Sequence, residues 1–254
     1  MANICEIDSN GRTVNRVAAS WSGAMTLGVG WAWLDARIGD NRPHRHIAHQ
    51  ISVAIDDEME IQGSMVTHLA CGEAMLIPAS MWHSIGPVGT AVRTIYFDPL
   101  LEGIFDLDAG REIRRLLNDE SRELVAIKNS EEAKLWAMKY SRRNEAGPID
   151  GRLANALLGN EAITSPRMLA KALGLSASRL REIVVHDFGV PPTKLVQWLQ
   201  LQRAIDALST SNNLADAAAA GNFADQAHFT RRLVEWFGVT PSAGLSSLDI
   251  TIVR

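Results

Sequence analysis

The chain has 254 residues, of which 46% are hydrophobic and 21% charged, with a formal net charge of −4. That length suits one large domain or two modest ones, and the composition excludes a disordered or low-complexity protein. With Cys5 and Cys71 as its only cysteines, the chain has neither a disulfide framework nor a cysteine zinc site. No run approaches the roughly 20 apolar residues of a membrane span. The expectation is a cytoplasmic protein that engages no membrane.

Residues 25–97 carry period-two patterning broken by Gly and Pro. Leu27, Val29, Trp31 and Trp33 read as one face, then Ile51, Val53 and Ile55, then Val92, Thr94 and Tyr96. Turns are expected at Asp56-Asp57, Cys71-Gly72 and Pro87-Val88-Gly89, so the pattern predicts an all-β sandwich or barrel. Within it, PHRHIAHQ at 43–50 holds three of the seven histidines. Histidine is the commonest side-chain ligand for transition metals, so His44, His46 and His49 suit a metal site or a pocket wall. His49 alternates away from the apolar residues and reads as a surface or turn histidine; His68, near Cys71, receives no role.

After Pro99 the texture changes. Residues 106–143 read as charged helix, with Ile113, Leu116 and Leu117 on one stripe and Leu135, Met138 and Lys139 flanking another. NEAGP at 144–148 reads as a break between domains. From Gly151 onward ten Lys/Arg face eight Asp/Glu, about +2, against 15 and 21, about −6, before it. A weak sign change of this kind fits a nucleic-acid partner for the second part without requiring one.

Residues 149–242 read as short helices with an internal repeat, FGVPP at 188–192 and FGVTP at 237–241. Gly just past a helix and Pro soon after are stop signals, so two helical units are expected, joined by a long helix over 192–208. In the first unit Leu169, Ala170, Leu173, Leu175, Leu180 and Ile183 supply a buried face, and Gly174 supplies the turn of a helix-turn-helix. Ser176 sits as N-cap of the second helix, leaving Ser178, Arg181, Glu182 and Val185 outward. In the second unit Phe229, Leu233, Trp236 and Phe237 form the buried stripe. Gln226, Ala227, Thr230 and Arg231 project outward, with His228 and Arg232 at the margin. Gln pairs well with adenine and Arg with guanine, so this set suits the major groove.

LAKALGLSASRLREIV, FGVPPTKLVQWLQLQRAIDAL and FADQAHFTRRLVEWFGVTP together resemble the DNA-binding domain of the AraC/XylS family of bacterial transcription regulators, over about residues 150–243. The resemblance implies recognition helices at 176–187 and 225–236 that enter successive major grooves. By the same resemblance the DNA contacts are Ser178, Arg179, Arg181, Glu182, Gln226, His228, Thr230, Arg231 and Arg232. It further implies a homodimer, for which the Ile113, Leu116 and Leu117 stripe is a candidate contact unless it packs on its own barrel, an equally good reading, and RNA polymerase as a partner. Asn222 stands where the family has Gly, and Asn is the next residue most able to take a left-handed backbone. Ala217 replaces a larger core residue; Gln200 stands where Arg is common. With Glu182 outward as well, phosphate attraction should be weak and affinity should lean on dimerisation.

The first half is similar to a cupin barrel, the usual sensor of that family. His44, His46 and Gln50 match its His-x-His-x3-Glu element with Gln for Glu, and Gly72, Pro78 and His83 match its Gly-x5-Pro-x4-His element. The expected fold is α+β: a cupin-like sensor at 1–105, a helical linker at 106–148 and a DNA-binding domain at 149–254. Trp31, Trp33, His44, His46, Gln50 and His83 are the candidate contacts of a small-molecule effector, with core packing the plainer reading of Trp31 and Trp33, since large aromatics usually fill interiors. A divalent metal on His44, His46, His83 and Gln50 is the sharper alternative, although neutral Gln is a weaker donor than Glu and sensory cupins of this kind commonly lack metal; no cofactor is required. The resulting expectation is a ligand-responsive, non-enzymatic transcription regulator, with a metal-sensing regulator or a metal-dependent cupin enzyme as alternatives.

Overall fold

A computed structural model describes residues 3–7, 13–17, 19–98, 112–143, 151–159, 163–211, 213–237 and 248–253. Two strands, β1 (Asn3–Ile7) and β2 (Thr13–Val17), pair with each other antiparallel. They are followed by β3 (Ser22–Gly28), β4 (Trp31–Arg37), β5 (His49–Ala54), β6 (Met59–Gln62), β7 (Val66–Leu69), β8 (Ala74–Ile77), β9 (Ser84–Gly86), β10 (Ala91–Phe97) and the short β11 (Arg114–Arg115). The helices are α1 (Asn118–Ala126), α2 (Ser130–Arg143), α3 (Gly151–Gly159), α4 (Pro166–Leu173), α5 (Ala177–Phe188), α6 (Pro192–Ser211), α7 (Leu214–Ala220) and α8 (Gln226–Trp236). Strand β12 (Leu248–Ile252) follows them. The mixed α+β order is the one the sequence predicts.

Two sheets face each other, one ordered β11-β8-β5-β10-β4-β3-β12 and the other β7-β6-β9. Met25, Leu27, Leu34, Met75, Ile77 and Val92 from the first and Met59, Ile61, Leu69 and Ile85 from the second share one buried interior. The period-two reading is correct in kind and wrong at one place. Val29-Gly30 is a tight turn, with Gly30 at φ 77°, and cross-strand pairing sets Leu27 opposite Ala32 and Met25 opposite Leu34. Directly paired residues share a face. Trp31 and Trp33 therefore point away from the interior, and pack with Ile51, Val53, Ile95 and Phe97 under Leu124, Ile127, Ala133, Trp136 and Tyr140 of α1, α2 and their connection.

Two other expectations are corrected. Residues 113–117 are not helical: Arg114 and Arg115 pair with Leu76 and Met75 of β8, and Leu116 N–H donates to Ala74 O. The β8 edge offers unpaired backbone groups that a polar first helical turn would leave bare. Leu116 is buried against the sheet while Leu117 is 66% exposed, so Ile113, Leu116 and Leu117 make no helical stripe. In α2 the buried positions are Ala133, Trp136, Ala137 and Tyr140, and Leu135 faces outward. At the other end, Leu248–Ile252 falls within the segment assigned to DNA binding, yet it pairs parallel with β3 as the last strand of the large sheet.

The helical half follows its stop signals. Gly174 (φ 64°) and Gly189 (φ 65°) end α4 and α5 in the left-handed conformation, and Asn222 takes φ 57° in the turn before α8, as its side chain permits. Ser176 caps α5, its Oγ accepting from Arg179 N–H at 3.2 Å. The 144–148 break lies outside the described residues. No helix among the described residues is long and apolar enough to cross a membrane.

Candidate functional site: a histidine cluster and two exposed helix faces

Alternation along β5 and β10 turns Gln50, Ser52, Thr94 and Tyr96 toward the interior, with Gln50 and Tyr96 paired across the strands. Two chain segments bring the histidines to them. His44 and His83 exchange backbone hydrogen bonds of 2.9 Å in both directions, locking the loop before β5 to the segment before β9. The rings of His44 and His83 lie 4.4 Å apart, those of His46 and His83 5.2 Å, and those of His44 and His46 5.6 Å. Ligand atoms of all three lie within 4.8 Å of one another. The motif spacing thus brings His44, His46, Gln50 and His83 together as expected.

The hydrogen bonds fix the tautomers. Nδ1 of His44 lies 2.9 Å from Arg42 O, that of His46 2.6 Å from Ala48 O, and that of His83 3.0 Å from Met81 O. A carbonyl only accepts, so each Nδ1 carries the proton. Burial, then the neighbouring His46, pushes His44 down to about 4; burial lowers His46, and burial with both neighbours holds His83 well below its usual value. Neutral rings with protonated Nδ1 present three bare Nε2 lone pairs. Gln50 Oε1 stands 3.0 Å from His46 Nε2 and 2.9 Å from His83 Nε2, while Gln50 Nε2 donates to Ser52 Oγ and Ser52 Oγ meets Thr94 Oγ1 at 2.8 Å. An oxygen facing two lone pairs is stable around a cation. With the amide turned end for end, its two N–H bonds serve His46 and His83 without one. Either way His44 Nε2 stays buried without a hydrogen-bond partner.

Trp31 and Trp33 do not join this cluster, because the Val29-Gly30 turn sends them to the helix-covered face. His49 is corrected as well: it shares the face of Ile51, is buried, accepts from Ala79 N–H at 3.1 Å, and is pushed down to about 3 by burial and His46. His68 is exposed on β7, 2.9 Å from Glu58. Sequence reading missed Tyr96, whose ring lies 5.4 Å from that of His46, although its alternation with Val92 and Thr94 had marked its face.

On the helical half, Ser178, Arg179, Arg181 and Glu182 are exposed on α5, as are Gln226, Thr230 and Arg231 on α8; His228 and Arg232 are half-buried at the margin. Leu180, Val184 and Phe188 bury the opposite face of α5, and Phe229 and Leu233 that of α8. Arg179 Nη1 meets Glu182 Oε2 at 2.9 Å, so Glu182 offsets a neighbouring cation. Arg232 Nε lies 3.4 Å from His228 Nε2, which turns both along the helix margin.

The two sites are mechanically joined. Ser80, at φ 66°, donates its backbone N–H to His46 O at 2.7 Å and its hydroxyl to Phe188 O at 2.7 Å, linking the cluster to the end of α5. Tyr96 packs edge-on to Phe237 at 5.1 Å, just beyond α8. Trp198 of α6 donates to the Asp98 carboxylate, and Gly30 N–H donates to Gln202 Oε1 at 2.6 Å. None of Ser80, Asp98, Trp198 or Gln202 carries a local motif that signals such contacts.

The family described as a helix-turn-helix domain matches residues 169–246. A sequence search of curated proteins finds no match. Among solved structures, unsaturated fatty acid bound wild-type ToxT from Vibrio cholerae is similar at a TM-score of 0.53 and 12% identity, over 83% of this chain and 92% of that one. ToxT from Vibrio cholerae bound to (E)-4-(8-methylnaphthalen-1-yl)but-3-enoic acid gives 0.53 and 12% over 84% and 97%. An RmlC-like cupin from Shewanella frigidimarina matches 28% of this chain and 68% of its own at 14% identity, with a TM-score of 0.26. The ToxT likeness is one of fold. The chain therefore carries a C-terminal helix-turn-helix domain joined to a sheet-rich N-terminal half.

Proposed function

We propose that the protein is a sequence-specific DNA-binding transcription regulator whose sheet-rich half senses a small molecule. The observation that carries this reading is the pair of recognition helices, each apolar and buried on one face and polar and exposed on the other. Ser178, Arg179, Arg181, Glu182, Gln226, His228, Thr230, Arg231 and Arg232 supply the DNA face. The Ser80–Phe188 and Tyr96–Phe237 contacts support a sensor whose state reaches both recognition helices. ToxT, the fold relative, is solved with an unsaturated fatty acid and with a naphthyl butenoic acid, which favours a small organic effector here too. The reading includes a cytoplasmic homodimer that works with RNA polymerase, and gives the chain no catalytic role.

A duplex selected by the full chain from a random-sequence pool tests it. Arg231→Ala should weaken binding to that duplex by about 1–3 kcal/mol and relax preference at one base position. A protein that enriches no sequence, or an Arg231→Ala variant with unchanged affinity and preference, would remove the reading or that residue from it.

A second reading, metal sensing, is favoured by the orphaned His44 Nε2 and the three converging lone pairs. The residues fit a divalent cation of the kind that imidazole binds: Nε2 of His44, His46 and His83, with Gln50 Oε1 as a weaker fourth donor. Bound there, such an ion would act as a positive charge that turns the Gln50 oxygen inward. Elemental analysis of the tag-free protein and of a His44→Ala/His46→Ala variant decides it: stoichiometric metal lost in the variant supports metal sensing, and metal-free wild type rejects it.

A further inference from the structure

Along α5 the buried residues Leu180, Val184 and Phe188 form one stripe, and Ser178, Arg181, Glu182 and Val185 form another on the side turned away from the core. Spacings of three and four residues put these four side chains on one face of the helix. Three of them carry polar groups that can hydrogen-bond to base edges. Val185 carries none, yet it is 43% exposed and belongs to neither buried cluster. The core therefore does not account for it: a β-branched residue is a poorer helix former than alanine or lysine, and methyl groups left in water bring no gain. Its neighbours leave it uncovered. Arg179 Nη1 holds Glu182 Oε2 at 2.9 Å, which draws that carboxylate toward the start of the helix and away from Val185, one turn further on. From Ser178 to Val185 the face covers about 10 Å of helix axis, or about three base pairs, a length that a helix laid in the major groove can present to bases.

We propose that Val185 is a thymine reader: its methyl groups pack on the C5-methyl group of one thymine in the stretch of duplex that α5 faces. That methyl group offers neither donor nor acceptor, and in the major groove it marks the position of thymine. Ser178, Arg181 and Glu182 can select among donors and acceptors, and Val185 adds the apolar contact that they cannot make. A polar edge at the same place, such as the amino group of cytosine, would lose water against the valine without gaining a partner, so the side chain also disfavours the wrong base pair. The inference rests on the reading of α5 as a recognition helix and gives one further side chain a specificity role of its own.

The duplex selected by the full chain supplies the test. Replacing each thymine in turn by deoxyuridine removes one methyl group and leaves every hydrogen-bonding group in place. At one thymine this replacement should weaken binding roughly fourfold, the worth of one buried methyl group, and in Val185→Ala the loss at that position should shrink to less than about twofold. Val185 is exposed and alanine favours the helix, so the variant should melt at or above the wild-type temperature. A duplex in which no thymine shows a methyl dependence, or a dependence that survives undiminished in Val185→Ala, overturns the proposal and leaves the regulator reading standing. A full chain that enriches no sequence overturns both.

Discussion

Neutral imidazoles at His44 and His49 make the barrel's stability depend on pH. In the unfolded chain each takes a proton near 6.5, whereas folding holds His44 to about 4 and His49 to about 3. Between those limits the unfolded state binds more protons, so the stabilisation is complete above about pH 6.5 and drains away as pH falls toward 4 and 3. The urea midpoint should drop between about pH 7 and pH 5, and His49→Asn, which keeps an acceptor for Ala79 N–H, should flatten the slope. A midpoint independent of pH over that range would mean that these rings protonate freely when folded. Backbone angle gives a second residue-scale prediction. A Cβ on Gly174 would meet no heavy atom within 4 Å, so Gly174→Ala isolates the left-handed penalty of about 1–2 kcal/mol. Asn222→Ala should cost a similar amount and Asn222→Gly almost nothing, read from denaturant midpoints; a costly Asn222→Gly would show that the Asn side chain holds the turn.

At the scale of elements, what was legible had local causes. Ser176 and Gly174 announce the ends of α5 and α4, and helices expected at 176–187 and 225–236 lie at Ala177–Phe188 and Gln226–Trp236. Cupin spacing brought His44, His46, Gln50 and His83 together because inward alternation and the His44–His83 backbone pair are properties of short segments. The failures were long-range. Period two sees alternation but not the Val29-Gly30 reversal, so it turns Trp31 and Trp33 toward the sheet interior, whereas they fill the core on the helix-covered face; the β8 edge that captures Arg114 and Arg115 is some forty residues away in the chain, and no helical period reports it. LDITI alternates like a strand, yet only the open edge of β3 makes it one. Removing Leu248–Ile252 should therefore uncover β3, lower the melting temperature and promote concentration-dependent self-association through that edge. A truncated chain that melts and sediments like the full one would show that β12 contributes little.

For the molecule as a whole, the buried apolar cluster runs without interruption from Met25 and Tyr96 in the barrel to Leu195, Phe229 and Leu233 in the helices, so the two halves share a core. A shared core makes them one folding unit, because unfolding either half would leave apolar surface of the other in water. Urea unfolding followed by far-ultraviolet circular dichroism, which the helices dominate, and by hydrogen exchange of the barrel strands should therefore coincide. Duplex makes the stricter test. A duplex read by α5 and α8 should protect the barrel strands as much as the helices, since a ligand that binds only the folded state stabilises whatever unfolds with its site. A barrel that opens at an unchanged urea concentration while duplex holds the helices would show two separate units in spite of the common core, and sensing would then have to reach α5 and α8 through the Ser80–Phe188 and Tyr96–Phe237 contacts alone.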